Sequence, residues 1–169
     1  MVAGMTTSDV IELARKGIFQ GKPLHGNVEE THISWVILAG RNAFKIKKPL
    51  KLSFLNFSTL ERRKHFCERE FQLNSRFSDI YQGVVPIRAQ GGRWHVGSGH
   101  GKVMDYAVQM KRLLTSRRMD SMLRADKVGL DEIEKLARVI AAFHIYAEKV
   151  FLPFDHLQAR KTFNDISGI

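Results

Sequence analysis

The run Ser58-Thr59-Leu60-Glu61-Arg62-Arg63-Lys64-His65-Phe66-Cys67-Glu68-Arg69-Glu70-Phe71-Gln72-Leu73-Asn74-Ser75-Arg76-Phe77 opens on Ser-x-x-Glu, the form of a capping box. Such a box satisfies orphan donors at a helix start, so the run predicts a helix from Ser58 to about Phe77. Within it Phe66, Glu70, Leu73 and Phe77 are spaced by four, three and four. Glu70 therefore falls inside an apolar stripe, where an unpaired carboxylate would lose hydration that only a partner can replace. Lys45 and Lys47, which share one face of a candidate strand while Phe44 and Ile46 take the other, are the nearest partners. The same spacing also fits a Glu70 at the stripe's edge, solvated or paired with Arg69 or Arg63.

Upstream of this helix, Val28 to Leu38 and Ala43 to Lys48 are rich in β-branched and aromatic residues, with Gly40-Arg41-Asn42 between them. They read as antiparallel strands joined by a turn. Residues 18–27, with Gly21, Pro23 and Gly26, read as a loop. Before them, Val10, Leu13 and Ala14 recur at helical spacing, with Asp9 as the cap, Glu12 reaching back and Gly17 as the stop.

Downstream, Gly83 to Arg88, Arg93 to Val96 and Val103 to Lys111 read as strands, the first two joined through Gly91-Gly92. In the last, Met104, Tyr106, Val108 and Met110 alternate with Asp105, Ala107, Gln109 and Lys111. The final third is helical: a short helix near Arg117 to Leu123 and a long one from about Asp131 to Lys149, striped by Ile133, Leu136, Ala137, Ile140, Phe143 and Ala147. Strands followed by helices define an α+β chain.

The 169 residues carry 27 Lys and Arg against 17 Asp and Glu, a net charge of +10 that suits an anionic partner. The single cysteine, Cys67, excludes an internal disulfide, and no set of Cys and His has structural-zinc spacing. With Ser8, Asp9 and Glu12 near the start and no long apolar run, the sequence is expected to be cytoplasmic, with no membrane partner.

Several motifs invite chemistry and do not carry it. In Gly97-Ser98-Gly99-His100-Gly101-Lys102-Val103, three residues separate Gly97 from Gly101 where a Walker loop has four, and Val103 replaces its Ser or Thr. It reads as a turn. His144 follows Phe143 on the long helix's apolar face and reads as a hydrogen-bonded core residue. Arg62-Arg63-Lys64 with Lys45, Lys47, Lys48 and Lys51 would suit phosphates, but the run lacks interleaved aromatics for base stacking, which disfavours nucleic acid.

Longer stretches carry a specific likeness. Glu30-Thr31-His32-Ile33-Ser34-Trp35-Val36, Ala43-Phe44-Lys45-Ile46-Lys47-Lys48-Pro49, Phe57-Ser58-Thr59-Leu60-Glu61 and His65-Phe66-Cys67-Glu68 resemble a bacterial family of aminoglycoside phosphotransferase-like proteins. Leu73-Asn74, Tyr81, Gly83-Val84-Val85-Pro86-Ile87, Asp105-Tyr106-Ala107-Val108-Gln109-Met110 and Ala141-Ala142-Phe143-His144 continue the likeness in order. It implies a protein-kinase-like fold, with an N-terminal lobe of antiparallel sheet plus one helix over 1–112 and the first helices of a C-terminal lobe over 113–169. In many members the kinase-like domain is followed by a P-loop ATPase domain. The likeness makes ATP with Mg²⁺ the expected cofactor and leaves the phosphate acceptor unnamed.

By the same resemblance, Lys45 or Lys47 looks like the lysine that meets nucleotide phosphates and Glu70 like its helix partner. Thr31 to Ser34 would turn over the phosphates, without the glycines of a protein-kinase loop. Met110, Lys111 and Leu113 would belong to the hinge that binds adenine. Asn56 stands where the family is expected to favour aspartate. Neither His-x-Asp nor Asp-Phe-Gly occurs among these residues, so no catalytic and no metal-binding residue is assigned. The expectation is a truncated nucleotide lobe, inactive without a missing C-terminal half, whose long-helix stripe and Phe151, Leu152 and Phe154 lack part of their core and favour self-association. A non-catalytic protein-binding module and a basic nucleic-acid binder are the alternatives.

Overall fold

Short turns set the course of the first 112 residues. In the computed structural model, which describes residues 4–149, 151 and 153–166, the chain divides into a unit of residues 1–112 and one of 113–169. The first holds β1 (Ile18–Phe19), β2 (Lys22–Pro23), β3 (Asn27–Glu30), β4 (Ser34–Ala39), β5 (Asn42–Lys47), β6 (Tyr81–Gln90), β7 (Arg93–Val96) and β8 (Lys102–Lys111). It also holds helices α1 (Thr7–Lys16) and α2 (Leu60–Asn74).

The strands form one eight-stranded sheet in the order β2-β1-β7-β6-β8-β5-β4-β3. It is mixed rather than wholly antiparallel, because β1 runs parallel to β7. The segment expected as a loop over 18–27 contains the β1–β2 hairpin, whose central Gln20 and Gly21 take φ of 50° and 76°. Both angles suit the twist of a two-residue hairpin. Gly91 and Gly92, at 56° and 71°, do the same between β6 and β7, where a residue with a Cβ would be strained at both positions.

The strand expected over Val28 to Leu38 is two strands. Thr31 folds the chain back by donating its N–H and its hydroxyl to the Ser34 carbonyl at 2.8 and 2.9 Å, while Ser34 N–H donates to Thr31 Oγ1 at 3.0 Å. A threonine side chain standing in for a backbone partner makes a turn that β propensity alone does not reveal.

Helix starts move by a few residues for similar reasons. Thr6 caps α1 and Asp9 reaches back to it, while Glu12, the residue expected in that role, accepts from Trp94 Nε1 at 3.1 Å. Thr59 rather than Ser58 caps α2, accepting from Arg62 N–H at 3.2 Å. Ser58 is held by Asn56 Oδ1, which accepts from its N–H and its hydroxyl at 3.1 and 2.7 Å. An aspartate at 56 could accept the same two bonds. α2 ends at Asn74, and Phe77 beyond it is exposed.

One face of the sheet buries Trp35, Ile37, Phe44, Ile46 and Ala107 in a common core with Val10, Leu13 and Ala14 of α1. Each large apolar side chain fully enclosed there contributes roughly 1.5–3 kcal/mol. α2 packs against β6 and β8. In β8 the buried residues are Asp105, Ala107 and Val108, so alternation does not separate a wet face from a dry one. A strand packed on both sides loses that contrast.

The second unit holds a 3₁₀ turn (Thr115–Arg117), α3 (Met119–Arg124), α4 (Leu130–Tyr146) and α5 (His156–Ile166). Ile133, Leu136 and Ile140 of the expected α4 stripe are exposed, as are Phe151 and Phe154, while Leu152 lies outside the described residues. His144 is exposed too, rather than enclosed in a core, and its ring contacts Phe143 with centroids 6.0 Å apart. Among the described residues no helix is long and apolar enough to cross a membrane.

Candidate functional site

β5 lies between β4 and β8, and its alternation sends Ala43, Lys45 and Lys47 to the face opposite the α1 core. Register then builds rows across the sheet. Val36, Lys45, Val108 and Val84 form one row, and Leu38, Ala43, Met110 and Tyr81 form the next. Ser34 and Lys47 are paired on the far side of the first row. Val36, Leu38 and Met110 are half-buried, so the apolar rows are not fully closed.

Glu70 of α2 receives both lysines. Lys45 Nζ donates to Oε1 at 2.9 Å and Lys47 Nζ to Oε2 at 2.7 Å. Of the readings open in the sequence, this is pairing with the strand, because Arg69 donates to Gln72 and Arg63 to Asp105. Burial pushes the Glu70 carboxyl upward, but the two ammonium groups together hold it below the usual carboxylate value. The cluster carries one carboxylate and two ammonium groups, a surplus of one positive charge.

The lysines differ in their surroundings. Lys47 is 7% exposed and sits 5.0 Å from the centroid of the buried Phe57 ring, whereas Lys45 is 32% exposed. A partly wet ammonium with unused donors can meet an anion at low desolvation cost. A buried one cannot.

A second ion pair under α2 escaped the sequence reading. Arg63 Nε donates to both carboxylate oxygens of Asp105 at 2.9 Å and its Nη1 to the Phe57 carbonyl at 3.1 Å, with both side chains fully buried. Burial pushes the Asp105 carboxyl up, against the pull of Arg63 and the backbone N–H groups of Tyr106 and Met5. Gly4 closes over this pair: a Cβ there would lie 2.6 Å from Pro49 Cβ and 3.2 Å from Arg63 Cζ. The available signal was the spacing of Arg63, Cys67, Glu70 and Asn74, which sets a second stripe beside the one marked by Phe66 and Phe77. Burial follows this polar stripe, with Arg63 and Cys67 enclosed and Glu70 and Asn74 half-buried.

The remaining expected site residues are scattered by comparison. Ser34 is fully buried and its hydroxyl has no hydrogen-bond partner, so in this conformation it is closed to a ligand. Met110 lies in the apolar row beside Ala43. Lys111 is exposed, with its Nζ on Asp79 at 2.6 Å and its backbone N–H on the Ile80 carbonyl. Leu113, the first residue of the second unit, is exposed.

The basic residues that suggested nucleic acid are largely committed elsewhere. Arg63 is buried, Lys45 and Lys47 hold Glu70, Lys48 pairs with Glu30 at 2.6 Å and Lys64 with Glu68 at 3.7 Å.

No family model and no solved structure matches the chain. Uncharacterized proteins of Mycobacterium bovis and of two Mycobacterium tuberculosis strains are each 36% identical to it over 124 residues, which is 73% of this chain and 23% of theirs. The chain therefore spans less than a quarter of the length of the curated relatives it matches.

Proposed function

We propose that residues 1–112 are the nucleotide-binding lobe of a protein-kinase-like phosphotransferase of the aminoglycoside phosphotransferase-like kind. The observation that carries this reading is the clasp of Glu70 on a capped helix by lysines of a central strand, next to half-buried apolar rows. A purine ring needs an apolar platform and a polyphosphate needs fixed positive charge close by. Val36, Leu38, Ala43 and Met110 supply the first and the Lys45–Lys47–Glu70 cluster, with its surplus charge, supplies the second.

Within this reading ATP supplies the transferable phosphoryl group, and this chain's residues bind and orient it. No proton transfer is assigned to these residues, because no His-x-Asp occurs among them, and none is assigned to Mg²⁺. The phosphate acceptor and any P-loop ATPase partner belong to the whole protein. The paired state of Arg63, Lys48 and Lys64 supports a nucleotide over a nucleic acid, since it leaves fewer cations for a backbone of phosphates.

Calorimetric titration of the full chain with Mg²⁺-ATP tests the proposal. Saturable binding that falls on Glu70→Gln, in a variant with unchanged cooperative unfolding, is the expected result. A cooperatively folded wild-type chain that shows no saturation up to millimolar nucleotide sinks it.

A further inference from the structure

The sheet ends at β3, and its outer edge is open beside α1. Thr31 N–H meets the Ser34 carbonyl, which sets the phase of the ladder: Asn27, Glu29 and Thr31 bond to β4. In an antiparallel pair the residues between them point their backbone groups the other way. The N–H and C=O of Val28 and Glu30 therefore face away from β4. One step earlier the edge is already closed, because Gly26 N–H donates to the Ala14 carbonyl of α1 at 2.7 Å.

A groove runs along this edge between β3 and α1. The exposed Ile11 and half-buried Val28 give it an apolar floor over Ala14, and Thr7, Arg15 and Glu30 complete its walls. Val28 and Glu30 lie on the α1 face, since their partners Ile37 and Trp35 are in the core, and Glu29 lies on the opposite face. Glu30 is paired with Lys48, whereas Glu29 is exposed and forms no ion pair among the described residues. An added strand would find unpaired backbone groups, an apolar slot on one face and a lone carboxylate on the other. A second copy of the chain suits this edge poorly. Pairing Val28 of one copy with Glu30 of the other would set their two Glu29 side chains directly opposite, about 5 Å apart at Cβ, where like charges destabilise.

We infer that the β3 edge and the α1 groove bind an extended peptide segment as a further antiparallel strand. Its apolar residues stand opposite Val28 and Glu30, facing the groove, and its intervening lysine or arginine stands opposite Glu29. Backbone bonds to Val28 and Glu30 give such a strand its affinity, while the groove and Glu29 select its side chains. The inference is independent of the nucleotide reading, whose charged groups lie on β5 and α2.

The test titrates the full chain with an end-blocked heptapeptide of alternating lysine and valine and follows backbone amide exchange by NMR. With a net charge of +10 the chain as a whole repels this peptide, so binding reports a local site. Saturable binding that slows exchange at Val28 and Glu30, with no new protection at Asn27 and Glu29, is expected. Methylating the valine nitrogens keeps the side chains and removes the donors that face β3, and should weaken binding by about tenfold or more. Glu29→Lys, and a glutamate–valine peptide on the wild type, should each weaken it by about fivefold. Ile11→Gln should weaken it too; should that variant not fold, the methylated peptide and the exposed Glu29 still decide.

No saturation with the lysine–valine peptide up to millimolar concentration, equal affinity of its methylated form, or protection that falls elsewhere than at Val28 and Glu30 overturns the inference. So does a dimer in sedimentation whose Val28 and Glu30 amides are protected without peptide, which would make a second copy the occupant. Nucleotide binding is expected to be unchanged by Glu29→Lys, so its failure and the failure of the strand site are read separately.

Discussion

Two ion pairs hang from one helix and do opposite things. Arg63 and Asp105 are fully enclosed, matched one cation to one anion, and supported by the Phe57 carbonyl and the Tyr106 N–H. Glu70 is matched by two cations, one of them about a third exposed. Enclosure closes the first pair to a ligand even though Arg63 Nη2 has no hydrogen-bond partner, whereas the second keeps a partly wet ammonium and a surplus charge within reach of solvent. The contrast separates an enclosed pair from one partly open to solvent among groups of the same chemistry, seven residues apart on α2.

The largest expected effect lies at the closed pair. Arg63→Met leaves Asp105 buried without its counter-ion, and breaking such a pair costs about 3–5 kcal/mol. Urea unfolding should show a loss of that order, and the double variant Arg63→Met with Asp105→Leu should recover much of it. An Arg63→Met chain as stable as wild type would mean that the pair is not closed and would remove the contrast.

At the open pair the effect is smaller and depends on pH. Glu70→Ala leaves Lys47 enclosed and without its carboxylate, a cost of about 1–3 kcal/mol. Because the Glu70 pKa in the fold lies below its ordinary 4.5, the carboxylate's contribution is present above that value and is lost as pH falls through the lowered one. Stability measured from neutral pH into acid should therefore fall more steeply in the wild type than in Glu70→Gln. Equal slopes would show that the lysines do not favour the ionised form.

The two pairs were also unequally legible. Lys45, Lys47 and Glu70 each lie in a strongly patterned element, and a charge interrupting an apolar stripe asks for a partner in the adjoining strand. Arg63 sits in Arg62-Arg63-Lys64, which reads as a wet basic run, and its partner lies 42 residues away with no local pattern joining them. The major hairpins were legible through their glycines. β1 and β2, at two residues each, are too short to show any period, and the parallel pairing of β1 with β7 depends on the whole sheet. The Thr31 turn was hidden inside a run of good strand formers, and the Thr59 cap lay one residue from an equally suitable serine.

Cys67 gives the finest test of the comparison, since it lies four residues after Arg63 and three before Glu70 on the same side of α2. Its thiol is buried, lies 3.8 Å from the Tyr106 carbonyl oxygen, and is pushed up to about 12 by burial. The thiolate is the reactive form, so a thiol reagent at neutral pH should label Cys67 only through opening of the helix. When reclosing is fast, the labelling rate follows the population of the open state. Arg63→Met should then speed labelling by orders of magnitude and Lys47→Met by less. Lys45→Met should change it by about fivefold or less, because a partly exposed ion pair contributes under about 1 kcal/mol to holding the helix. If Lys45→Met instead opened α2 as readily as Lys47→Met, both lysines would be anchors, the surplus charge would have no separate carrier, and the distinction between the closed and the open pair would reduce to one of degree.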